Sequence, residues 1–193
     1  PMHQFFNHAR NSALCIAGVA VAWVLFFKLN AFVFSYFEKT EFVNLVFIPA
    51  GVRLVAVLLF DELGVLGLFF GALITSPSFS TNINEAILIS LVSALNPYLA
   101  VHITRLLLKV DHLLTQLSAK ELVLMGLFSA LFNCLSHHFY FEFANLRASW
   151  ADCENMFIGD IFGIGIILTL FVICLKLIRK CSAQPVAQKS NQI

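Results

Sequence analysis

Charge is what this chain has least of. Only 12% of its 193 residues are Asp, Glu, Lys or Arg, where a soluble domain carries about a quarter. That scarcity excludes a disordered chain, which needs high charge and few apolar residues. It excludes a nucleic-acid surface, which needs clustered Lys and Arg, and a water-soluble enzyme of the usual kind. The five cysteines (Cys15, Cys134, Cys153, Cys174 and Cys181) form no CxxC pair and no metal-type spacing. No GxSxG, HExxH or P-loop pattern occurs, so no enzyme activity is expected, and nothing in the sequence names a cofactor. What is abundant is apolar: 60% of residues, 21 of them phenylalanine, with a mean hydropathy of +0.87. This composition belongs to an all-α, polytopic transmembrane bundle whose first partner is the lipid bilayer.

A hydrocarbon core of about 30 Å needs about 20 helical residues, fewer where the bilayer thins or anchors snorkel. Six apolar segments present themselves. The first runs from Ser12 to about Phe34 and, lacking a small-residue cleavage site, reads as a retained helix. The second, Phe42 to Phe60, contains Pro49, Gly51 and Arg53. Asp61 and Glu62 separate it from the third, Leu63 to Thr75. A Ser/Pro/Thr/Asn loop, Ser76 to Asn84, leads to the fourth, Glu85 to Leu108, with Asn96-Pro97 at its middle. After a basic linker, the fifth opens on the capping box Ser118-x-x-Glu121 and continues to Phe141. A polar loop, Glu142 to Asn155, precedes the sixth, Met156 to Ile178. The expected organisation is one membrane domain over residues 1–180 and a polar tail over 181–193.

Six spans place both ends of the chain on one side. Arg10, Arg105, Lys109, Lys120, Lys176, Arg179, Lys180 and Lys189 fall on that side and only Lys39 and Arg147 on the other. The positive-inside rule therefore puts both termini in the cytoplasm. The second and third segments are short enough to form a re-entrant hairpin instead, entering and leaving from the outer face.

Ionisable residues inside apolar segments are costly and often functional. Arg53 sits four residues after Pro49, which suits the first turn of a helix; there its charge adds to the positive end of the helix dipole and makes an anion seat. The competing reading is a structural ion pair, for which Asp160, early in the last segment, is the natural partner. Gly67 and Gly71, and Gly159 and Gly163, form small-residue faces that suit close helix packing or a partner. Lys28 is placed to snorkel outward. Asn96-Pro97 frees a carbonyl and kinks its helix. His138 and Glu142, four apart, share a helical face and offer a weak metal site with Asp152, Cys153 or Glu154; a solvated interfacial cluster accounts for the same residues. His102 reads as an interhelical hydrogen-bonding group. Ser136 and His137 are adjacent and cannot act as a dyad. Cys134 and Cys153 both fall toward the outer face, which leaves a disulfide open.

Two stretches resemble the MASE1 membrane sensor domain. Val46 to Phe60, with Pro49-Ala50-Gly51, followed by Gly64 to Leu73 with Gly71-Ala72-Leu73, is similar to that family's early core. Asn155 to Ile164, carrying Gly159-Asp160 and Gly163, is similar to its last part. The resemblance covers about a quarter of the chain. It implies a bacterial inner-membrane sensory module, ordinarily fused to a cytoplasmic output domain. Here the expected spans are fewer than the family's usual eight, Arg53 stands where the family is apolar, and no output domain follows Cys181. The expectation is therefore a stand-alone sensory or accessory subunit acting through a partner membrane protein. The alternative is the solute-capturing component of a transporter. Energy-coupling-factor substrate-capture subunits are similar in size, and Ala13-x-x-x-Ala17 resembles their contact motif.

Overall fold

The structure, a computed structural model, describes residues 2–34, 38–40, 43–78, 80, 82–109, 117–144 and 149–183. Among these are six α-helices and one short antiparallel ribbon. Helix α1 is Met2–Phe34; strands β1 (Glu38–Thr40) and β2 (Val43–Asn44) follow. Then come α2 (Pro49–Phe60), α3 (Glu62–Thr75), α4 (Ile83–Leu108), α5 (Ala119–Phe143) and α6 (Trp150–Ala183). α1, α4, α5 and α6 are long and apolar enough to cross a membrane. The chain is a helical membrane protein.

The start of α2 shows how local chemistry overrides hydropathy. The apolar run begins at Phe42, yet the helix begins seven residues later, at Pro49. The preceding backbone donors are satisfied outside any helix: Ile48 N–H bonds Asn30 Oδ1 at 2.8 Å, and Phe47 N–H bonds the Gly159 carbonyl at 3.0 Å. Proline has no N–H and a fixed φ, so it opens the helix at no hydrogen-bonding cost. The opposite correction applies to α6. The stretch expected as a polar loop up to Asn155 is helical from Trp150. Ser149 caps it, taking the Ala151 N–H on its Oγ at 3.2 Å and the Asp152 N–H on its carbonyl at 3.0 Å. Asp152 in that first turn suits the positive end of the helix dipole. At the other end α6 passes the expected boundary at residue 180 and runs to Ala183; residues 184–193 of the tail lie outside the described residues. The predicted capping box of α5 is present, with Ser118 Oγ accepting from Glu121 N–H and Glu121 Oε2 from Ser118 N–H.

α2 touches all five other helices, and nine of its twelve residues are buried. At about 18 Å it is shorter than a hydrocarbon core; its first free donors, Ala50 and Gly51 N–H, bond the Phe47 and Ile48 carbonyls at 3.1 and 3.0 Å. It turns into α3 at Asp61, whose φ of 48° lies in the left-handed range. α3 then runs beside α1 in the same direction. Gly67 faces Ile16 and Val19, Gly71 faces Trp23, and Trp23 Nε1–H bonds Thr75 Oγ1 at 3.0 Å. A side chain at Gly67 or Gly71 would meet α1 atoms at 2.6–2.8 Å. α6 packs along α2, Gly163 against the Phe47 carbonyl and Ile167 against Gly51. α4 and α5 close the remaining side.

Candidate functional site

The centre of the bundle is a polar cluster built on Arg53. One turn into the buried helix α2, its side chain is 2% exposed. Nη2 donates to Asp160 Oδ2 on α6 at 2.9 Å. Nη1 donates to Asn133 Oδ1 on α5 at 2.7 Å and to Ser93 Oγ on α4 at 3.0 Å. Asn133 is the hub: its Nδ2 donates to Asp160 Oδ2 at 2.8 Å, and its Oδ1 also accepts from Asn96 Nδ2 at 3.3 Å. Asn96 Nδ2 reaches Ser136 Oγ as well, at 2.8 Å. His137 donates from Nδ1 to the Asn133 carbonyl at 2.9 Å, which fixes the hub's own turn. Trp23 and Phe47 flank the guanidinium, with ring centroids 5.9 and 5.6 Å from its central carbon, a favourable geometry for a desolvated cation.

The sequence brings Arg53 and Asp160 into view, and the structure joins them. With α6 starting at Trp150, Asp160 lies ten residues in, about 15 Å below that helix end. Ser93 lies ten residues into α4. The pair therefore sits inside the bundle, more than two turns from the start of either helix. Asn133, Ser93, Trp23 and Phe47 were not singled out from the sequence. Hydropathy hides a lone Asn or Ser in an apolar helix; the available signal was that Asn133, like Asn96, is an amide inside a span, where such groups act as interhelical glue.

The remaining candidates separate. Gly67, Gly71 and Gly163 pack within the chain, and the Gly159 carbonyl holds the Phe47 N–H. His138 and Glu142 approach only to 3.9 Å, and His138 stacks on Trp150 at 4.1 Å. Among the described residues no group of three or more His, Cys, Asp or Glu is arranged to hold a metal. His102 bonds Asp61 at 3.2 Å where the end of α4 meets the start of α3. Cys134 and Cys153 are buried free thiols, and Lys28 is exposed on α1. α4 continues through Pro97, and Asn96 beside it serves the cluster.

Chemically the cluster is a closed neutral clamp. Its cation, carboxylate and amides bond mainly to one another, and the serine hydroxyls at 93 and 136 face a guanidinium and an amide, not a base. Outside it, α1, α2 and α6 leave a groove of about 780 Å³ between them, lined by Gly18, Ala22, Val52, Ala56, Ile167 and Phe171 among other apolar residues. No protein-family model, curated protein or solved structure matches the chain.

Proposed function

We propose that this chain is a multi-pass subunit of the bacterial inner membrane, MASE1-like, that senses or assists by seating a partner's transmembrane helix. In this reading six helices alternate across the membrane, the short α2–α3 pair included, and both termini lie in the cytoplasm. The observation that carries the proposal is the groove between α1, α2 and α6. It is apolar along its length, and at its floor Gly18 has no neighbour within 4 Å where a side chain would stand. Close approach over small residues is how helices associate in lipid, where apolar burial alone gives no driving force. A groove so lined suits a helix better than the polar solute that transport would require. The residues that carry the family resemblance also pack together, since Gly163 meets Phe47, Gly51 meets the Gly163 carbonyl and Gly64 meets Ala56.

A site-specific photocrosslinker distinguishes the cases. Placed at Leu14 or Leu170, on the groove, it is expected to trap one discrete second polypeptide in native membranes. Placed at Leu99 or Val123, on exposed faces of α4 and α5, it is expected to trap lipid. Lipid adducts alone at all four positions would overturn the proposal.

A further inference from the structure

A second arginine is buried with no side-chain partner among the described residues. Arg105, on the last turn of α4, is 9% exposed, and its Nε–H makes no hydrogen bond. Among the described residues no acid lies within ion-pair distance of it. The described acids at that end of the bundle are engaged elsewhere or turned to solvent: Asp61 bonds His102, Glu121 caps the Ser118 N–H at 2.6 Å, and Glu62 is exposed. Guanidinium is ionised at any physiological pH and presents a planar fork of donors, so burial without an acceptor is costly. The C-terminal dipole of α4 favours a cation there but supplies no hydrogen bond to the fork.

Position identifies what does. Arg105 lies 22 residues along α4, about 33 Å from its start, and so one hydrocarbon thickness away. Asn96 on α4 bonds Asn133 and Ser136 on α5, and the two helices run antiparallel from there. The start of α5 therefore lies at the same end of the bundle as Arg105, its first turn about level with Lys109. Exposed Lys109, in the left-handed cap of α4, and exposed Lys120, in that first turn, bring two more positive charges to the same end.

We propose that Arg105, supported by Lys109 and Lys120, binds the phosphate of an anionic phospholipid headgroup. Basic pockets between transmembrane helices take such groups, and the arginine fork matches two phosphate oxygens. The site is independent of the groove and of any protein partner.

The test titrates purified protein in neutral detergent with phosphatidylglycerol and with phosphatidylcholine, reading thermal stabilisation. Wild type is expected to prefer phosphatidylglycerol about tenfold, the size of one strong charge-assisted contact. Arg105→Gln is expected to abolish the preference, and Asp111→Asn, in the linker outside the described residues, to leave it intact. An equal preference in Arg105→Gln, or its disappearance in Asp111→Asn, would overturn the proposal. Inorganic phosphate alone giving the same stabilisation would overturn the lipid source. Should Arg105→Gln not fold, wild type labelled with phosphatidylglycerol carrying a photoreactive headgroup answers instead. Label concentrated on residues 102–109 supports the site, and label spread evenly over exposed faces refutes it.

Discussion

Arg53 and Arg105 are both nearly sealed from the surface, yet the fold treats them oppositely. Arg53 has a carboxylate, an amide, a hydroxyl and two aromatic faces around it, drawn from every other helix except α3 and from the segment before α2. Arg105 has none of these among the described residues. The two sit twelve residues apart in level along α4, from Ser93 to Arg105, about 18 Å. Surroundings explain the contrast. Inside the bundle the charge is sealed by five elements of the chain, so the protein itself supplies acceptors to both Nη atoms and leaves only Nε–H unbonded. At the helix end a headgroup can supply one.

The sharpest way to break this contrast is Asp160→Ala. It strands a buried cation and is expected to cost about 3–5 kcal/mol, read as a collapse of thermal stability in detergent. A small loss there would mean that water reaches Arg53. Next in size is Gly163→Ala, whose new methyl meets the Phe47 carbonyl and should cost about 1–3 kcal/mol by overpacking. Gly165→Ala, with nothing within 4 Å, should be neutral in the same melt. Trp23→Phe keeps a ring over the cation but loses the bond to Thr75, an expected loss of about 1 kcal/mol. The smallest effect is expected at Arg105→Gln in detergent free of anionic lipid, within about 0.5 kcal/mol of wild type. A loss there as large as at Asp160 would show that an internal partner holds Arg105.

The helices and the two charges were legible because both rest on strong signals: long apolar runs, and ionisable residues interrupting them. The proline that opens α2 was legible too. What was hidden depends on three-dimensional register. Nothing in the order of residues says that Asn30 caps the turn before α2, or that Asn133 links Arg53 to Asp160 across three helices. The late start of α2 and the early start of α6 were hidden for a related reason. The run from Phe42 to Ile48 is as apolar as a helix, but the Phe47 and Ile48 donors bond Gly159 and Asn30, whereas Trp150 to Asn155 is polar but well capped by Ser149. The glycine pairs announced close packing without saying against what; α1 and the segment before α2 turned out to be the answer.

The central claim is that the guanidinium at position 53 and the carboxylate at position 160 stabilise the bundle as a unit. A double-mutant cycle on Arg53→Gln, Asp160→Asn and their combination, followed by thermal or denaturant unfolding in one detergent, measures that directly. The double variant is expected to lose less than the sum of the singles by about 1–3 kcal/mol. Losses that add to within about 0.5 kcal/mol would mean the two groups act separately, and the clamp would not exist.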